Sequence, residues 1–359
     1  MRRTTTVCVL VGLGMSASLH AEETADSPMA LPALAASTEQ VSVVGVSSGG
    51  YMASQLAVAW PERFSGLGVL AAGPWGCSQG SLSLALNQCM MTRRGLPDLD
   101  QLEQRRQDYA ERGEVGSREA LSQLKVFIWH GENDPVFDPR LSDALAEQFS
   151  TWLDAPDEQL KVVRDKQAGH GWPIRLPQEE AVSPEMLGDC QEGGGSHVLS
   201  CNKDIAGDMM EWLHPRKEVQ DPQQDGELLR FDQAEFDAKG LADVGYLFIP
   251  PGCADGDCGV TLALHGCQMS HEQIGETFVR HSGLNRWALE HEQIVLYPQA
   301  TTTLGNPQGC WDWWGFAEST WQISPLHETR SGTQIEALMA MLSRLQESTP
   351  QEPSEALSQ

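Results

Sequence analysis

The segment Gly45-Val46-Ser47-Ser48-Gly49 has the composition of a turn that can lift a serine hydroxyl out of the chain as a nucleophile. Glycines two positions either side let backbones approach closely at a sharp strand-to-helix turn, and the helix start behind it favours a developing anion. The same pattern recurs at Gly76-Cys77-Ser78-Gln79-Gly80. Context separates the two. The β-branched run Val41-Ser42-Val43-Val44 precedes Ser47, and Gly49 to Trp60 follows with helical apolar spacing at Met52, Leu56 and Ala59. Ser78 follows Pro74-Trp75 and adjoins a cysteine, so Ser47 is the candidate nucleophile.

A serine hydroxyl needs a base, and the base needs an orienting acid. The strand-like Lys125–Trp129 runs into His130-Gly131-Glu132-Asn133-Asp134-Pro135, which makes Asp134 the candidate acid, with Asp165 its competitor. His170, in Gln167-Ala168-Gly169-His170-Gly171-Trp172-Pro173 after the next strand, is the candidate base. His130 and His265 stand in His-Gly pairs at strand ends and read as turn-shaping residues. Acyl transfer also needs backbone donors for the oxyanion. One is expected from the Ser48 N–H, directly after the nucleophile. The other is expected from the Cys267 N–H, in the His-Gly loop that ends Leu262-Ala263-Leu264-His265-Gly266-Cys267.

The elements that must carry these residues alternate. Strands are expected at Val41–Val44, Gly66–Ala72, Lys125–Trp129 and Leu160–Val163, with a helix over Asp204–Leu213. After a polar connector at Pro215–Gly226 come strands at Gly245–Ile249, Val260–Leu264 and Ile294–Tyr297. A final helix over Thr333–Gln346 opens on the apparent capping box Thr333-x-x-Glu336. This is an α/β chain with a mostly parallel sheet covered on both faces. The oxyanion loop comes after the nucleophile instead of before it. Exchanging the halves at the connector restores the usual order of an α/β-hydrolase, so a circular permutation is expected.

Composition sets the surroundings. With 40% hydrophobic and 21% charged residues in 359, the chain can bury a sizeable core. Arg2 and Arg3, an apolar run from Val7 to about Leu19 and Ala21 read as a signal peptide over residues 1–21. One domain is then expected over 22–346, with a disordered tail at 347–359. The eight cysteines beyond the signal suit an oxidising compartment, periplasmic or extracellular. They allow 105 pairings in principle, and neighbour spacing favours Cys77–Cys89, Cys190–Cys201 and Cys253–Cys258, which leaves Cys267–Cys310. No Cys-x-x-Cys pair or histidine cluster suggests zinc, and no metal or other cofactor is expected. A net charge of −26 argues against nucleic-acid and anionic-membrane partners and for neutral or apolar substrates on a monomer.

GVSSGGYMA, HGENDPVF, AGHGWP, LRFDQAEF, GYLFIPPGC, LALHGCQMS, LYPQA and GCWDWWG together resemble the poly(3-hydroxybutyrate) depolymerase family, in its permuted single-domain branch. The resemblance runs from about Val41 to Gln346. It implies a Ser47–His170–Asp134 triad, Ser48 and Cys267 as oxyanion donors, and a short-chain 3-hydroxyacid polyester as substrate. With Cys267 paired to Cys310, the aromatics Trp311, Trp313, Trp314 and Phe316 would lie beside the oxyanion loop, and Trp172 beside the base, where they either flank a passing polyester chain or fill core. Rival expectations are a feruloyl, acetyl or small-ester hydrolase of the same chemistry, and a secreted binding protein with a silent site. No Thr/Ser-rich linker or separate polymer-binding domain is recognisable in the sequence.

Overall fold

The computed structural model describes residues 27–175, 186–214, 225–318 and 325–348. The expected signal peptide, most of the expected connector and nearly all of the expected tail lie outside them. Among the described residues there are ten strands: β1 (Val41–Val46), β2 (Gly66–Leu70), β3 (Lys125–Gly131), β4 (Leu160–Asp165), β5 (Trp172–Pro173), β6 (Val198–Leu199), β7 (Glu227–Asp232), β8 (Val244–Ile249), β9 (Gly259–Leu264) and β10 (Gln293–Tyr297). Eight form one sheet in the order β4-β3-β2-β1-β9-β10-β8-β7, and β5 and β6 form a small parallel pair. Every pairing in the large sheet is parallel except those of β8, which runs against β10 and β7.

β1 sits at the centre, and all six of its residues are buried, as a strand covered on both faces requires. Helices Ser48–Ala59, Arg140–Trp152 and Thr333–Gln346 pack one apolar layer, built from Met52, Leu56, Leu145, Phe149, Leu338 and Leu342 among others. Helices Ile205–Leu213 and Leu284–His291 pack the opposite layer through Met209, Met210, Leu213, Leu284 and Ala288.

The permutation has a physical trace. Residues just before β1 are pinned to the end of the last helix: Leu34 N–H and Ala36 N–H both donate to the Leu345 carbonyl, at 3.1 and 3.0 Å. In space, the Thr333–Gln346 helix therefore delivers the chain to β1. Counted from Glu227, β9 becomes the third strand, the one from which α/β-hydrolases project the second oxyanion donor.

One expected local feature is absent. The Thr333–Gln346 helix has the expected bounds, but its N-cap is Gly332, and no side chain caps it. Thr333 is already the first helical residue, and its N–H turns to Glu318 Oε1 at 3.3 Å. By contrast, Asp204 caps the Ile205–Leu213 helix through the Gly207 N–H at 2.9 Å.

Candidate active site

Ser47 occupies the turn between β1 and the Ser48–Ala59 helix with φ 58° and ψ −122°, a positive φ uncommon outside glycine. Its N–H donates to the Leu70 carbonyl at 2.9 Å, and its carbonyl accepts the Tyr51 N–H at 3.1 Å, so sheet and helix hold the turn between them. The flanking glycines are there for space. A Cβ on Gly45 would lie 2.2 Å from the Gly49 carbonyl oxygen, and one on Gly49 would lie 2.3 Å from that of Leu264. The second contact also presses the helix start against the end of β9.

That end of β9 brings the Gly266–Cys267 loop to the serine. A Cβ built on Gly266 would stand 3.2 Å from Ser47 Cβ. The N–H groups on either side of Cys267 are engaged: Gly266 donates to Met269 Sδ at 3.2 Å and Gln268 to the Gln308 carbonyl at 2.8 Å. The Ser48 N–H belongs to the first helical turn, which offers it no intrahelical acceptor. His265 shapes this loop as expected. Its Nε2 accepts the Ala300 N–H at 3.0 Å, which leaves Nδ1 to donate to the Gly266 carbonyl at 2.7 Å. Burial, opposed by that backbone bond, pulls its pKa down to about 4, so the ring is neutral. The Cys267–Cys310 disulfide then clips the loop to the aromatic segment. There the Trp311 N–H reaches Ser48 Oγ at 3.4 Å.

Asp134 and His170 come from the loops after β3 and β4, at the same carboxyl edge of the sheet as Ser47. Asp134 Oδ2 lies 2.7 Å from His170 Nδ1, and its Oδ1 accepts the N–H groups of Val136 and Phe137 at 2.8 and 2.9 Å. Burial would raise its pKa, but the charge of His170 and the hydrogen bonds from His130 and His170 outweigh it, holding the carboxyl far below its ordinary range. His170 is only 4% exposed and stacks on the Phe137 ring at 5.2 Å. The competitor Asp165 is taken by Lys203 Nζ at 2.6 and 2.7 Å.

Two readings change. His130 does more than shape a turn, because its Nε2 contacts the same Asp134 Oδ2 at 2.9 Å. Trp172 and Trp311 offer no face to a ligand: both are fully buried, their indole N–H groups spent on the Ser282 and His265 carbonyls. The β5–β6 pairing and the Cys267–Cys310 clip pull these two rings inward to fill core. Trp313 stacks on Tyr51 at 4.4 Å, and both lie near Phe137. Trp314 and Phe316 are half-buried and retain exposed surface. The sequence does not single out Tyr51 and Phe137 as site residues, although both lie within the motifs GVSSGGYMA and HGENDPVF. All four expected disulfides are formed. Besides Cys267–Cys310, two more border the site: the Tyr51 hydroxyl donates to the Cys89 carbonyl at 2.7 Å, and the Gly169 N–H to that of Cys190 at 2.7 Å.

No protein-family model matches the chain. It is 32% identical over 305 residues to the polyhydroxybutyrate depolymerase of Talaromyces funiculosus, covering 80% of this chain and 85% of that enzyme. The chain belongs to the poly(3-hydroxybutyrate) depolymerase family. It is also 32% identical over 328 residues to the poly(3-hydroxybutyrate) depolymerase of Delftia acidovorans, covering 89% of this chain and 62% of that longer protein. Among solved structures, PHB depolymerase from Penicillium funiculosum superposes with a TM-score of 0.77 at 29% identity, covering 88% of this chain and 98% of that one. A serine-to-alanine variant of PHB depolymerase complexed with R3HB trimer gives the same TM-score at 28% identity, with the same coverage. As a depolymerase-family serine esterase, the chain has an α/β-hydrolase fold bearing four disulfides, which fits an oxidising compartment. Among the described residues, no helix is long and apolar enough to cross a membrane.

Proposed function

We propose that this protein is exported after loss of residues 1–21 and hydrolyses poly(3-hydroxybutyrate), or oligomers of related short-chain hydroxyacids, through Ser47, His170 and Asp134. The observation that carries this is the convergence at one sheet edge of three separate segments: the strained Ser47 turn, the Asp134–His170 contact and the Gly266–Cys267 loop. Ser47 attacks an ester carbonyl as His170 Nε2 takes its proton, while Asp134 holds Nδ1–H and the ring orientation. The N–H groups of Ser48 and Cys267 receive the oxyanion. His170 then protonates the departing alcohol, and water releases the acyl group by the same route.

The R3HB trimer in the structural relative supports an oligoester in this position. Trp313, with the half-buried Trp314 and Phe316, would flank the polymer chain. A chain of net charge −26 suits an uncharged polymer better than an anionic one. The test is turbidity clearing on amorphous and crystalline poly(3-hydroxybutyrate), run beside ferulate and acetate release from plant-wall esters. Clearing with release of 3-hydroxybutyrate units is expected. Hydrolysis of the plant-wall esters without clearing would refute the polyester assignment.

A further inference from the structure

His130 is fully buried beneath the catalytic edge, and its two ring nitrogens meet partners whose own hydrogens can be counted. Ser142 Oγ lies 2.7 Å from the Ala72 carbonyl oxygen, which can only accept, so the single hydroxyl hydrogen goes there. The same Oγ is 2.5 Å from His130 Nδ1 and must therefore accept a proton from it. On the other side, His130 Nε2 is 2.9 Å from Asp134 Oδ2. Asp134 already accepts two backbone N–H groups on Oδ1 and faces His170 Nδ1 from Oδ2, the arrangement of an ionised carboxylate. It too can only accept from His130.

We infer that His130 carries a proton on both ring nitrogens and is a positioning residue, a second histidine that shares Asp134 with the base His170. This inference rests on the triad reading above for its catalytic consequence, but not for its protonation. The ionisable groups that face His130 are Asp134 on its own loop and, across Asp134, His170, with the His197 ring 6.0 Å beyond that. Asp165, at the end of the neighbouring strand, is held by Lys203.

Two functional consequences follow. The Ala72–Ser142–His130 chain anchors Asp134 to the sheet and to the Arg140–Trp152 helix, so the acid cannot rotate away from His170. The positive ring also offsets part of the Asp134 charge that would otherwise act on His170 alone. In His130→Gln the whole Asp134 charge would face His170.

The experiment uses the whole secreted protein with 15N-labelled histidine, assigned by the signal lost in His130→Gln or displaced in Ser142→Ala. At pH 8 the long-range proton–nitrogen spectrum should show both His130 nitrogens protonated; a neutral tautomer would overturn the inference. Should His130→Gln not fold, the wild-type spectrum with the Ser142→Ala assignment still decides. In folded His130→Gln, whose amide can still donate to Asp134, the acid limb of kcat/KM should move to higher pH. A uniform loss at every pH, with the limb unmoved, would mean the ring is only structural. Retained hydrolysis in Ser47→Ala would sink the triad reading instead and leave the spectrum untouched.

Discussion

Ser47 and Ser78 sit at the centres of the same five-residue pattern and are both buried. Around Ser78 the parts even mimic a triad, with His327 Nε2 at 3.5 Å and Glu328 Oε2 3.9 Å from that ring. Yet the Ser78 hydroxyl donates to the Trp313 carbonyl at 2.7 Å, and the surrounding turn serves to hold the aromatic segment. A third serine–histidine pair, Ser42 Oγ to His214 Nε2 at 2.9 Å, lies near the start of β1, at the opposite end of the strand from Ser47. In open α/β sheets, sites form at the carboxyl ends of strands. Residue types in proximity are thus insufficient. What distinguishes Ser47 is a positive φ at the carboxyl end of the central strand, with the Gly266–Cys267 loop delivered beside it by the adjacent strand.

The largest expected difference between the two regions is in rate. Ser47→Ala should lower kcat on p-nitrophenyl butyrate by about 10⁴-fold or more, since loss of the nucleophile removes the covalent route. Ser78→Ala should keep the rate and lose on the order of 1 kcal/mol of stability, for the one hydrogen bond to Trp313. Equal losses would erase the distinction.

The acids should behave likewise. Asp134→Asn should cost about 10⁴-fold in kcat, because the amide no longer fixes the His170 tautomer. Glu328→Gln beside His327 should leave kcat unchanged, and a comparable fall would give the Ser78 region a catalytic role.

Next come the disulfides. Removing Cys267–Cys310, which closes 43 residues, should lower stability by about 4 kcal/mol and kcat by about 10²-fold as the oxyanion donor loosens. Removing Cys77–Cys89, which closes 12, should cost about 3 kcal/mol with kcat retained. Urea midpoints and initial rates on the paired serine variants would check both.

The smallest effect is on the pH dependence of stability. The Asp134 carboxyl is depressed in the folded state, so its contribution is present above its unfolded value near 3.8 and lost as pH falls below it. Asp312, beside His327, is shifted upward, burial being the main cause, so its ionisation opposes folding and stability is lost as pH rises through its folded value. Urea midpoints measured from pH 3 to 7 should therefore change with opposite slopes when Asp134→Asn and Asp312→Asn are each compared with wild type.

Much of this was legible in the residues. Ser47, Asp134, His170 and the Gly266–Cys267 loop each stand at a strand end, where glycine and β-branched runs announce the turn. The sequence places the strands before and after the connector to within a residue or two, apart from the two-residue β5 and β6 and from β7. Its sequence, Glu-Leu-Leu-Arg-Phe-Asp, is half-exposed at the sheet edge and alternates weakly. Helices Leu99–Glu111 and Arg140–Trp152 also went unread, although Arg140–Trp152 buries Leu141, Leu145, Phe149 and Trp152 along one face. The fate of each tryptophan was beyond the sequence, because only tertiary packing decides whether a ring beside a catalytic residue faces core or crevice. The Thr333 capping box failed for a similar reason: Glu318, distant in sequence, takes the N–H instead. The sharing of Asp134 by two histidines was hidden because a histidine four residues before an aspartate, across a turn, carries no pattern of its own.

The most direct test of the account is covalent. The purified protein is treated with a fluorophosphonate, which phosphonylates only an activated serine, and the adduct is located by peptide mass mapping. A single adduct on Ser47, matching the loss of p-nitrophenyl butyrate hydrolysis mole for mole, is the predicted result. An adduct on Ser78 or Ser42, or full inactivation with Ser47 unmodified, would contradict it.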